Sequence, residues 1–336
     1  MAKPITSELL PERLTEHRAV RAWSRLESES SEPEGIQVLK TGKKSAVYRL
    51  VGVGPKGASV IAKRCPLATG LLERMIYEEF LSALPLPALR YYGMVEEPDT
   101  GFCWAFLEDA RGQEYSTRNR EHRELAGRWL GAIHQAAASA VFEHPLLPGR
   151  QPDHYLELLR ASRTTLVCHL RNPALGEADR LALQTLASYC DVLEAHWSEL
   201  EGACAGVPPT LVHGDFSMKN VRVATTAAGL ALLVFDWEYA GWGVPASDLV
   251  QFMGRTLSPD LGTYRTTMNG LIAPLALPDI ERLAECGKFF RLLDGVSWSV
   301  LLLVFDSYTF LAKPMSYLKS YEARFAGALR TAPWSR

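Results

Sequence analysis

The sequence predicts an α+β protein of two lobes, the first rich in strands and the second in helices. Three observations carry this. Residues 35–107 hold short runs of β-branched and aromatic residues separated by Gly and Pro. After Gly112 apolar residues recur at helical spacing instead. A chain of 336 residues is also longer than one core ordinarily organises.

In chain order, Leu9, Leu10, Leu14, Val20, Trp23 and Leu26 give residues 1–34 the pattern of one or two short helices, closed by a loop over Ser28–Glu34. Strands are expected at Ile36–Leu39, Ala46–Val51 and Ser59–Lys63, with Gly52–Gly57 as the turn between the last two. Residues 69–84 place Leu72, Met75, Ile76, Phe80 and Leu84 on one helical side, and Pro85 and Pro87 stop the helix. Leu89–Tyr92 and Phe102–Leu107 read as two more strands. Helical patterns then dominate 119–138, 153–170, 177–201 and most of 245–325. Thr210–Val212 is a short apolar strand, and Val221–Val223 with Ala231–Phe235 reads as a hairpin. The expected division is an extension over 1–34, a first lobe over 35–107, a hinge at 108–114 and a helical lobe over 115–336.

Composition excludes several classes. Apolar residues make up 47% and charged residues 22%, ordinary for a globular enzyme, and the formal charge of −2 gives no reason to expect a nucleic-acid partner. The six cysteines form no Cys-x-x-Cys pair, which fits reduced thiols in the cytoplasm. No signal-peptide stretch opens the chain, and the apolar run Val296–Phe305 is too short to span a bilayer, so no membrane association is expected. Charge is uneven: residues 140–300 carry 12 basic and 18 acidic side chains, a mild pointer to a cationic acceptor.

The chemistry concentrates in Leu211-Val-His-Gly-Asp-Phe-Ser-Met-Lys-Asn-Val221 and Leu233-Val-Phe-Asp-Trp-Glu238. Asp215 stands five residues before Asn220, and Asp236 sixteen residues after it. Phosphoryl transfer needs a carboxylate to orient an attacking hydroxyl, and an Asn and an Asp to hold magnesium on nucleotide phosphates. The hairpin sets Asn220 and Asp236 at neighbouring strand ends. A nucleotide site also needs a lysine, and Lys63 closes the third strand pattern. Thr41-Gly-Lys-Lys-Ser-Ala46 is the candidate phosphate loop, with Gly42 for close backbone approach and Ser45 as donor, while Lys43 and Lys44 also suit a plain hairpin. It is not a Walker motif, because the preceding glycine, Gly35, lies too far from Gly42.

His213-Gly-Asp215-x4-Asn220, Asp236-x-Glu238 and Pro245-Ala-Ser-Asp248 resemble the aminoglycoside phosphotransferase and choline kinase family, which has the protein-kinase-like fold. The resemblance runs over roughly residues 36–250. It implies a bilobal enzyme that uses ATP and Mg2+ to phosphorylate a hydroxyl of a small molecule such as an antibiotic, an amino alcohol or a sugar. It assigns Asp215 as catalytic base and Asn220 and Asp236 as metal ligands. It also puts the adenine against the hinge at Leu107–Arg111, with Glu108 among the cofactor-binding residues. Lys63 would hold phosphates, paired with a glutamate. Glu73, Glu78 and Glu79 compete for that role, and the distances to Tyr77 and Pro87 favour Glu73. Asp248 is expected to cap backbone amides, and Ser217 to touch the transferred phosphate or fill a turn. Glu238 either assists the metal or an acceptor ammonium, or bonds the loop. The acceptor site is expected from residues 150–205 and 245–325. Trp237, Tyr239 and Trp242 stand near it, more in keeping with packing than with a ligand cage. A kinase of peptide Ser or Thr in natural-product biosynthesis, and a regulatory protein that binds nucleotide without turnover, are the alternatives.

Overall fold

The computed structural model describes residues 14–27, 31–42, 44–139, 144–268, 275–332 and 334. Leu9, Leu10 and Lys43 lie outside them. The chain divides into two compact units, Met1–Glu114 with Asn220–Glu238, and Tyr115–Lys219 with Tyr239–Arg336.

The first unit is built on five antiparallel strands, β1 (Gly35–Lys40), β2 (Ala46–Val51), β3 (Val60–Pro66), β4 (Tyr91–Glu97) and β5 (Phe102–Glu108), in the order β1-β2-β3-β5-β4. Helix α1 (Arg18–Leu26) covers the sheet. Its residues Ala19, Val20, Ala22 and Trp23 enter one core with Ile36, Leu50, Val60, Ala62 and Phe106, and the Trp23 ring lies 5.2 Å from that of Phe106. Such burial contributes about 1.5–3 kcal/mol per large side chain, so α1 is part of this unit's core.

Helix α2 (Leu67–Met75) starts directly from β3, and it runs on through a π-helical turn over Ile76–Phe80 and a tight turn over Leu81–Ala83. The π turn adds a residue to the circuit, so Ile76, Tyr77 and Phe80 are all buried. Leu84 is extended, as a residue before proline prefers. Strand β4 begins at Tyr91, two residues later than the Leu89 start expected from the sequence. Arg90 instead uses its carbonyl to accept the Glu108 N–H at 2.8 Å.

In the second unit, α3 (Arg120–Ser139), β6 (Gly149–Arg150), α4 (Pro152–His169), α5 (Glu177–Ala195), α6 (Trp197–Cys204) and β7 (Thr210–Val212) follow in order. The single helix expected over 177–201 is broken at His196, whose φ of −106° and ψ of 18° leave the helical region. The chain then returns to the first unit as the hairpin β8 (Val221–Thr226) and β9 (Gly229–Val234). Gln113 pairs with Val223 of this hairpin, and Gly112 is needed there because a Cβ would lie 2.5 Å from the Val223 carbonyl oxygen. The second unit resumes with β10 (Gly241–Gly243), α7 (Leu261–Thr267), α8 (Leu277–Val300) and α9 (Tyr308–Arg330), and β10 lies between β6 and β7 in a small sheet. Among the described residues no helix is long and apolar enough to cross a membrane.

Candidate active site

In the first unit, Lys63 of β3 is buried and its ammonium bridges two carboxylates, Glu73 of α2 at 2.7 Å and Asp236 at 2.5 Å. Because α2 follows β3 without a loop, ten residues suffice to bring Glu73 over Lys63. The same Glu73 oxygen accepts the Trp237 backbone N–H at 3.0 Å, tying helix to hairpin end. Glu78 is exposed and approaches Arg74 at 4.0 Å, so the lysine's partner is Glu73. Burial alone would lower the Lys63 pKa, but Glu73 and Asp236 carry it well above its ordinary value, so the ammonium is charged. Burial pushes the Glu73 carboxyl up, against the pull of Lys63, and the charges of Asp236 and Glu238 push the same way. Two carboxylates on one ammonium, with the charge of Glu238 felt at Glu73, leave this cluster with an excess of negative charge.

The hairpin fixes the other donor. Val221 pairs with Val234, and the Phe235 N–H donates to the Asn220 carbonyl at 3.0 Å, so Asn220 and Asp236 flank the open end of β8 and β9. Asp236 has φ +68°, a left-handed conformation that costs a non-glycine residue free energy and recurs at functional sites. Gly42 and Ser45 lie in the turn between β1 and β2. Packing does not demand Gly42, since an added Cβ would meet only the Ser45 carbonyl, at 3.4 Å. Glu108 ends β5. Its N–H is committed to Arg90, and its carboxylate accepts the Arg90 N–H at 3.1 Å.

In the second unit, the loop after β7 is held from below. The Asp248 carboxylate accepts the His213 N–H at 2.7 Å and the Gly214 N–H at 3.0 Å. Gly214 has φ +74°, and a Cβ there would lie 2.2 Å from the Tyr239 carbonyl oxygen, so only glycine fits. His213 is buried, and its Nδ1 accepts the Asp215 N–H at 3.2 Å. The Asp215 carboxylate receives Lys219 on one oxygen and Arg291 on the other, each at 2.7 Å. Arg291 also donates to the Gly214 carbonyl. Burial by itself would raise the Asp215 pKa, but the two cations bring it down to about 2. Arg291 had no sequence signal, standing on α8 far beyond the motif. An arginine one turn from Asp294 on a helix is indistinguishable locally from a surface charge.

The sign of the Asp215 shift fixes a pH dependence. Its pKa is depressed on folding, so its stabilisation is present above the unfolded value near ~3.9 and is lost as pH falls through about 2. Wild type should exceed Asp215→Asn in unfolding free energy by about 2 kcal/mol at pH 7, and urea titrations near pH 2 should show that gap closing. A gap independent of pH would refute the coupling.

Loop, α8 and α9 enclose a cavity of about 410 Å³, whose lining includes Asp215, Ser217, Tyr239, Arg255, Arg291 and Trp298. That is room for a small molecule. Residues 150–205, expected to contribute, supply none of its lining, and of the three aromatics only Tyr239 does. Trp237 is buried in the core. The Ser217 hydroxyl is buried with no hydrogen-bond partner among the described residues. Asp294 of α8 is held by Arg150 at 3.1 Å, and Arg150 also donates to the Tyr239 carbonyl at 3.0 Å.

Comparison with known proteins identifies the class. The model of the phosphotransferase enzyme family matches residues 35–285, and the chain belongs to that family. Among solved structures, it is similar to the GDP complex of an aminoglycoside 2'-phosphotransferase-IIIa mutant, with 15% identity over 92% of this chain and 97% of that one and a TM-score of 0.61. It is also similar to a Plasmodium vivax ethanolamine kinase, with 16% identity over 89% and 84% and a TM-score of 0.57. A microcompartment-associated aminopropanol kinase gives 15% identity over 90% and 92% and a TM-score of 0.56. At these identities the likeness is one of fold, the mixed α+β protein-kinase-like fold with strands first and helices after. No curated protein matches the sequence.

Proposed function

We propose that the protein is a cytoplasmic O-phosphotransferase that uses ATP and Mg2+ to phosphorylate a hydroxyl of a small molecule. The observation that carries this reading is Lys63 held between Glu73 and Asp236, at the open end of the hairpin that presents Asn220. Nucleotide complexes among the similar structures support it, as does the family itself. Each unit brings one half of the chemistry, joined across residues 108–114 as a hinge.

The first unit is the nucleotide half. Lys63 would hold phosphate oxygens, with Gly42 and Ser45 above them and the backbone around Glu108 beside the base. Asn220 and Asp236 offer hard oxygen donors, and the surplus negative charge around Lys63 suits a divalent cation. Among the described residues no cluster of three or more ligating side chains occurs. Magnesium typically takes one or two carboxylates and completes its shell with phosphates and water. When bound it supplies charge neutralisation on the phosphates. Glu238 adds negative charge beside the cluster.

The second unit is the acceptor half. Asp215 orients the attacking hydroxyl. As the acceptor oxygen bonds the γ-phosphorus, the bond to the bridging oxygen breaks, and its electron pair leaves with ADP. The hydroxyl proton passes to the Asp215 carboxylate late in this process. A pKa of about 2 makes Asp215 a weak base, which suits a role of positioning over early deprotonation. Asp248 keeps the loop in place through two amides, and Ser217 lies in the wall of the acceptor cavity.

Substituting Lys63→Ala tests the nucleotide half. The ATP KM should rise about 10- to 100-fold, the value of a charge-assisted hydrogen bond. Steady-state kinetics check this, and an unchanged KM for ATP removes Lys63 from the phosphate site.

A further inference from the structure

We infer that the acceptor is an anion, a hydroxyl compound carrying a carboxylate or similar oxyanion, received by Arg255 and Arg324. The inference rests on reading the protein as a phosphotransferase and names the substrate class of the same site.

The lining of the cavity carries four cations, Lys219, Arg255, Arg291 and Arg324, against two anions, Asp215 and Asp294. Both anions are already matched. Asp215 holds Arg291 and Lys219, and Asp294 holds Arg150, which adds a further positive charge behind the wall. Asp248 beneath the loop is engaged by two backbone N–H groups and lies 3.7 Å from the His134 ring. An amine entering the cavity would meet no unmatched carboxylate. Arg255 and Arg324, in contrast, pair with no carboxylate among the described residues. The acidic balance of residues 140–300 is thus not reproduced where the acceptor would bind.

The two arginines are placed for the task. The Arg255 carbonyl accepts the Met218 N–H at 2.9 Å, and Thr256 pairs with Ser217, so Arg255 is fixed beside the catalytic loop. Arg324 projects from α9, its guanidinium 5.9 Å from the centre of the Tyr321 ring. Its guanidinium also lies against Gly254, where a Cβ would come within 2.8 Å. A planar fork supported by an aromatic ring matches a carboxylate in two-point geometry, as an ammonium would not. Tyr239 and Trp298 line the same cavity and supply apolar surface for a carbon skeleton.

The test uses gluconate, glucitol and glucamine, one six-carbon polyol skeleton ending in a carboxylate, an alcohol or an ammonium. Trp298 is 43% exposed on the cavity wall. Its fluorescence, isolated by subtracting a Trp298→Phe control, reports binding without nucleotide. ADP formation with ATP and magnesium reports turnover. Gluconate is expected to bind at least about tenfold more tightly than glucamine, with glucitol between, and the double substitution Arg255→Gln, Arg324→Gln should remove that order. Equal binding of the three, or preference for glucamine, overturns the inference. Binding of gluconate without ADP formation from any of the three would uphold the anionic pocket and count against the phosphotransferase reading. Turnover of glucamine but not gluconate would do the reverse.

Discussion

Turnover is expected to fall by about 10²- to 10⁴-fold when Asp215 is replaced by Asn, while nucleotide binding persists. The amide keeps the size of the side chain but loses the charge that both Lys219 and Arg291 contact at 2.7 Å. It can neither take the hydroxyl proton nor hold the two cations apart. Arg291 remains near Asp294 on the same helix, so the part-buried guanidinium keeps an opposite charge in its surroundings. The protein is therefore expected to fold, with the loss confined to the chemical step. ADP formation at saturating ATP and acceptor measures it, and a thermal shift on adding ATP shows that the nucleotide half is intact. Wild-type turnover in this variant would remove Asp215 from the reaction.

Gly287→Ala is expected to destabilise the protein by about 1 kcal/mol net and to lower activity with it. Helix propensity alone argues the other way, since Ala in a helix interior gains up to about 1 kcal/mol over Gly. At this position contact decides. A Cβ on Gly287 would lie 1.9 Å from the Ala246 carbonyl oxygen and 2.4 Å from its carbon, both backbone atoms that no rotamer change can move aside. Overpacking of this kind costs about 1–3 kcal/mol, which outweighs the propensity gain. The backbone it would displace is the turn over Pro245–Asp248. Asp248 leaves that turn to hold the His213 and Gly214 amides, so the strain reaches the loop that carries Asp215. Urea unfolding together with kcat tests both effects. A variant as stable and active as wild type would show that the turn moves freely.

What the sequence revealed divides along physical lines. Lys63, Asp215, Asn220 and Asp236 could be singled out because the roles proposed for them depend on residue type at short spacing or at the end of an apolar strand. Glu73 was favoured over Glu78 and Glu79 only by its spacing to Tyr77 and Pro87, since helix phase could not choose among them and the π turn after Met75 alters that phase. Arg291 was invisible. Its partner lies 76 residues earlier, and no periodicity encodes a tertiary ion pair. The charge of the cavity lining was not legible for the same reason. Net charge over a segment counts exposed helix faces equally with the few side chains that turn inward. Trp23 and its helix were expected as an extension, because a short amphipathic helix gives no hint of the surface that will bury it.

The return of residues Asn220–Glu238 to the first unit has a consequence for biosynthesis. A ribosome that has released Glu114 must add a further 124 residues, counting from 114 to 238, before that unit is complete. At roughly 5–20 residues per second the wait is on the order of ten seconds. Throughout it, Lys63 and Glu73 exist without Asp236, and Gln113 without Val223. Helices α3 to α6 emerge in the meantime. The nascent chain therefore carries a five-stranded sheet that still lacks its partner hairpin past the synthesis of half of another unit, and the Lys63 cluster is among the last features of the first unit to assemble.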